Sequence, residues 1–188
     1  MTSLAEHVEG EACPHLAVFL RTADELPRVV ADFYALGARR GGWLAHRTLP
    51  GRGDRERALL IGAGLDVPAL EAEDRMVFVA LDPDTPPEGS ADPWREALDA
   101  ALARGLTGLW YARFPVGEAG VPFEYILAIE REWHRMSRNR PVVTICPFLV
   151  GDVEGEEALA GVQATHTAVL VPGDAPGEFD VLPRDPGR

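Results

Sequence analysis

Six short apolar runs, "HLAVFL" (15–20), "WLAHRTL" (43–49), "RMVFVAL" (75–81), "GLWYARF" (108–114), "PVVTICPFL" (141–149) and "AVLV" (168–171), are separated by helix-patterned segments. Most are continuously apolar rather than alternating, the pattern of strands covered on both faces. Strands and helices in regular alternation build a mostly parallel sheet between two helical layers. The expected fold is therefore α/β, a three-layer sandwich with a mostly parallel central sheet. Residues 1–12 read as a flexible leader and residues 174–188, rich in Pro, Gly and Asp, as a flexible tail. That leaves one domain over 13–173.

The helices carry their own signals. Thr22 with Glu25 three residues on fits a capping box, and Leu26, Val29, Val30, Phe33 and Leu36 recur at helical spacing before Gly41 and Gly42. Over 122–140, Tyr125, Ile126, Ile129, Trp133 and Met136 share one face. The segment "DPDTPPEGSADP" (82–93) reads as a surface loop at a strand end, a place where ligand-covering segments also occur.

Charge removes several function classes. The net charge is −12, from 30 acidic and 18 basic residues, and every basic residue is arginine. One basic patch, residues 40–57, lies between acidic stretches, so neither a nucleic acid nor an anionic membrane is an expected partner. No apolar run approaches the roughly 20 residues of a membrane span, and the polar, acidic start is no secretory signal. Cys13 and Cys146 are too few for a disulfide framework. A reducing, cytoplasmic setting is the expectation.

Missing motifs remove more. The turn after the first run is Arg21-Thr22-Ala23-Asp24, without glycine, and a chain without lysine has no phosphate-binding lysine. No G-x-G-x-x-G follows that run, and there is no G-x-S-x-G elbow. No nucleotide or other cofactor is expected.

What remains is a small set of polar residues. Cysteine and histidine at Cys13, His15, Cys146 and His166 could bind zinc or form a nucleophile pair. Without paired cysteine spacing, however, no bound metal is expected. Cys146, inside an apolar run, reads as a packed thiol or a ligand contact. The ends of the runs present Arg21, His46, Asp82, Arg113 and Phe148. Ligands of open parallel sheets lie beyond strand carboxyl ends. Arg21 and Arg113 could therefore grip a polar head between the first and fourth strands, with Trp110 or Tyr111 as an apolar wall. Alternatively, these arginines pair with nearby carboxylates.

The order of several motifs resembles a known family. "HLAVFL", "GLDV" before "ALEAEDRMVFV", "ALARGLTGL", "AIERE", "VVTICPF" and "THTAVLV" together resemble the MEDS family, the methanogen/methylotroph or DcmR-like sensory domain, over about residues 13–173. The resemblance implies a RecA/KaiC-like fold without its phosphate loop. It also implies a ligand-sensing module of prokaryotic signal transduction, proposed for simple hydrocarbon derivatives. His15, Glu130, Cys146 and His166 match the family's polar motifs. Two positions depart: Trp110 stands where the family often has arginine, and Thr167 where proline is common. A tryptophan there suits a more apolar ligand.

The reading is thus a non-catalytic sensory domain for a small organic ligand, signalling to a separate protein partner or by self-association as a homodimer. Two alternatives are a small enzyme using Cys146 and a histidine, and an interaction scaffold on an ATPase-derived fold. A pocket lined by Trp110 and Phe148 favours sensing, a short Cys–His contact the enzyme, and a filled crevice the scaffold.

Overall fold

The computed structural model describes residues 2–10, 14–82, 85–114 and 122–183. Its strands are β1 (Thr2–Ser3), β2 (His15–Leu20), β3 (Trp43–Thr48), β4 (Met76–Ala80), β5 (Leu109–Arg113), β6 (Val142–Leu149), β7 (Ala168–Pro172) and β8 (Glu178–Val181). Its helices are α1 (Leu4–Gly10), α2 (Leu26–Arg39), α3 (Gly53–Gly62), α4 (Val67–Ala72), α5 (Asp92–Ala103), α6 (Phe123–Ser137) and α7 (Glu156–Thr165). The sheet order is β1-β8-β7-β2-β6-β5-β3-β4. Strands β2 to β7 pair in parallel, and β8 and β1 extend one edge antiparallel. This is the α/β sandwich that the alternating runs predict.

Alternation along the strands sorts the core into two layers. On β2, Leu16, Val18 and Leu20 face a cluster with Val30, Phe33 and Tyr34 of α2 and Leu60 and Leu70 of α3 and α4. Ala17 and Phe19 face the opposite layer, with Leu127 of α6 and Val162 of α7. Next to it, Trp94 and Leu98 of α5 pack with Tyr111 and Trp133. Each such fully buried large side chain contributes about 2 kcal/mol.

Local structure departs from the sequence reading at the chain ends and at Thr22. Residues 2–10 and 178–181, read as leader and tail, form β1, α1 and β8. Over 53–72 the helix breaks where Gly62 and Gly64 lead one to expect it: Gly62 ends α3, and Gly64 takes a left-handed φ of 97° before α4. Thr22 makes no side-chain cap; instead Glu25 accepts a hydrogen bond from the Arg21 backbone N–H at 3.0 Å.

The topology also sets up a crevice. β2 and β6 are neighbours, but α2 leaves β2 on one face while α7 follows β6 on the other. Connections that part in this way open a gap beyond the carboxyl ends of the two strands.

Candidate functional site

A pocket of ≈ 370 Å³ occupies that gap. Its apolar wall is Leu26, Leu59, Phe114 and Leu149, and its polar groups include Asp24, Arg52, Arg55, Glu56 and Asp152. The turn after β2 supplies Asp24, the first turns of α2 and α3 supply Leu26 and Arg55, and the residue after β5 is Phe114.

Glu56 joins this wall to the sheet. It is 4% exposed, and its Oε2 accepts from His46 Nε2 at 3.0 Å. That leaves His46 Nδ1 facing the Tyr34 hydroxyl at 3.1 Å, and the same hydroxyl donates to Ala45 O at 2.8 Å. Burial lowers the His46 pKa, with the Glu56 hydrogen bond opposing it, so the imidazole is held neutral. The Tyr34 phenol is pushed well up by burial and keeps its proton.

A second polar centre lies on the opposite face of the sheet, under α6 and α7. His15 Nε2 is 3.0 Å from Glu130 Oε2, and the Cys146 thiol donates to that oxygen at 3.3 Å. Cys146 Sγ is 3.4 Å from His15 Nε2, and His166 Nε2 is 3.8 Å from Glu130 Oε2. Arg113 donates to the other oxygen of Glu130 from Nη2 at 2.9 Å and from Nε at 3.2 Å. All five residues are buried, Arg113 being the most exposed at 7%.

A buried carboxyl is pushed up by desolvation, but Arg113, and then His15, more than offset this and hold Glu130 well below its ordinary value. Burial, and then His15, lower His166 to about 3. Burial, and then Glu130, push the Cys146 thiol well above its ordinary range.

Comparison with known proteins decides the family. The family described as "MEDS: MEthanogen/methylotroph, DcmR Sensory domain" matches residues 14–167. This chain belongs to it. No curated protein matches the MEDS chain. Among solved structures it is similar to a KaiC-like protein from the hyperthermophilic archaeon Pyrococcus horikoshii. The identity is 13%, the TM-score 0.57, and the match covers 85% of this chain and 72% of that one. The likeness agrees with the RecA/KaiC-like architecture expected for a MEDS domain.

Four of the residues singled out by sequence, His15, Glu130, Cys146 and His166, meet in one buried cluster of this MEDS domain, and Arg113 joins them through Glu130. Arg21 lies apart: its Nη2 donates to Gly173 O at the end of β7. Trp110 is on the other face. Its ring lies so close to Gly37 and Gly42 that an added Cβ would come within 2.6 and 2.3 Å of it. It also borders an open depression of ≈ 420 Å³ at the amino ends of β5 and β6, with Thr107 and Pro141. Trp110 and Phe148 therefore belong to different layers. Of the loop 82–93, the described part docks on α6, where the Tyr125 hydroxyl donates to Thr85 O at 2.7 Å. Cys13 lies outside the described residues, as do Asp84 and Glu118, two of the carboxylates that the sequence offers as partners for the strand-end arginines.

The pocket-lining Arg52, Arg55 and Glu56, and the Tyr34 partner of His46, escape the sequence reading. Tyr34 reads as one more apolar member of α2, and its hydroxyl acquires a role only when β3 and β5 are brought beneath it.

Proposed function

We propose that this MEDS domain is a non-catalytic sensor. It admits a small, mostly apolar organic molecule with one polar end to the crevice between β2 and β6 and reports occupancy to a separate signalling protein. The observation that carries the proposal is the ≈ 370 Å³ pocket at the switch point. Its size suits a small molecule, and its wall joins an apolar side of Leu26, Leu59, Phe114 and Leu149 to a charged side of Asp24, Arg52, Arg55, Glu56 and Asp152. Arg52 and Arg55 can meet an anionic or strongly polar end. Membership of a sensory-domain family supports the same reading.

The test is NMR titration of the full chain with short-chain alcohols, haloalkanes and carboxylates. Saturable shifts at Leu26, Leu59 and Phe114 are expected, and Leu59→Trp, which fills the pocket from a half-exposed position, should abolish them. Saturable shifts confined to other regions, or unchanged by Leu59→Trp, would overturn the assignment.

A second reading has one specific observation behind it. Cys146 and His15 are in contact, as a nucleophile pair requires. The electrostatics oppose it, because a reactive thiol needs a lowered pKa, whereas burial and the Glu130 carboxylate raise that of Cys146.

A further inference from the structure

We infer that His15, Glu130, Cys146 and His166 form a site for one divalent transition-metal ion, with zinc the best fit to the donor set. The inference is independent of the ligand pocket. Absence of paired cysteine spacing leads to the opposite expectation, but that spacing matters only when ligands come from one local segment. Here each donor comes from a different one: the start of β2, the middle of α6, the centre of β6 and the residue that follows α7.

Geometry is the first argument. One donor atom from each residue lies within 4.8 Å of all the others. Four of the separations are 3.0, 3.3, 3.4 and 3.8 Å. Zinc bound tetrahedrally by nitrogen, oxygen and sulfur spaces its donors by about 3.3–3.7 Å. The remaining two are at most 4.8 Å, so side-chain shifts on the order of 1 Å separate the observed arrangement from that one.

The surroundings are the second argument. His166 Nδ1 donates to Val162 O at 2.8 Å, so the neutral ring carries its lone pair on Nε2, the nitrogen nearer Glu130. Arg113 fixes one oxygen of Glu130 and turns the other toward the cluster. These are the outer contacts that orient metal ligands. A sulfur, two imidazoles and a carboxylate in a closed, four-donor arrangement select zinc over the hard cations, which take oxygen.

Coordination balances simply. The Cys146 thiol proton passes to water, His15 moves its proton from Nε2 to Nδ1, and Glu130 Oε2 exchanges two hydrogen bonds for the metal. Thiolate and carboxylate together neutralise the dication, and Arg113 keeps its bond to the second oxygen.

The experiment uses the full chain, purified without a metal-affinity step, stripped with chelator and titrated with cobalt(II). One equivalent is expected to give the visible absorption of tetrahedral cobalt and a near-ultraviolet thiolate charge-transfer band, both bleached by zinc. Cys146→Ser should lose the charge-transfer band while Cys13→Ser retains it. His166→Gln should weaken cobalt binding by at least about tenfold. Near-ultraviolet circular dichroism confirms that each variant is folded. Absence of these bands in the folded wild-type chain overturns the proposal without recourse to any variant. Bands that persist unchanged in both Cys146→Ser and His166→Gln overturn it as well.

Discussion

Arg113 gives two N–H groups to one oxygen of Glu130, at 2.9 and 3.2 Å, and leaves the other oxygen to His15 and Cys146. The carboxylate is thus held on both sides, 3% exposed, beneath α6.

Arg113→Ala leaves that carboxylate buried without its cation. The expected loss is about 3–5 kcal/mol, on the order of 10 °C in melting temperature. Arg113 is not among the residues lining the β2–β6 pocket, so affinity for a pocket ligand should hardly change. Thermal unfolding together with ligand titration measures both quantities, and a stable variant with lost affinity would place the site beside Arg113.

Magnesium ATP should bind no more tightly than the millimolar range. The turn after β2 lacks glycine, its Arg21 N–H is already bonded to Glu25, and Asp24, Glu56 and Asp152 face the pocket. A phosphate there finds no cradle of N–H groups, and the three carboxylates outnumber Arg52 and Arg55. Calorimetry showing micromolar affinity contradicts this.

Cys146 should react with iodoacetamide only as the fold opens. The thiol is 0% exposed and its pKa is raised, so both access and thiolate are lacking. Mass spectrometry of timed samples measures the rate, and labelling as fast as at Cys13 would show the thiol to be open and reactive.

Acid should destabilise the metal-free chain early. His46 and His166 lie below the ordinary histidine value of 6.5 when folded. Their contribution is complete above that value and is lost as pH falls toward the folded values, because only the unfolded chain takes up the protons. Each can cost up to about 1.4 kcal/mol per pH unit. Glu130, also lowered, adds a further loss below its ordinary value of 4.5. Urea midpoints at pH 7, 6 and 5 should therefore fall steadily, and a flat profile refutes the assignment.

Gly42→Ala should cost about 1–3 kcal/mol, since the new methyl meets the Trp110 ring at 2.3 Å. Trp110→Phe in the same chain should recover part of this. Equal stability of Gly42→Ala and wild type, by urea unfolding, rules out the close packing.

The parallel sheet was legible because β2, β5 and β6 are buried along nearly their whole length, which an apolar run reports directly. β8 was not, since only Phe179 of its four residues is buried, and its place comes from pairing with β7. Glu130 was open to discovery from spacing alone. It sits three residues before Trp133 and four after Ile126, in the buried stripe of α6, where a carboxylate without a partner is costly. The wall formed by Arg52, Arg55 and Glu56 had no such mark, because charged residues at a helix start read as solvated surface. Tertiary placement buries Glu56 and sets Arg52 and Arg55 along the pocket.

Because α2 and α7 lie on opposite faces of the sheet, the β2–β6 crevice borders the approach to both. A guest there presses on Leu26 at the head of α2 and on Asp152, just ahead of α7. In the proposed sensor, a guest in the crevice would touch elements on both flanks of the sheet. One binding event could be read from two opposite outer surfaces of the molecule.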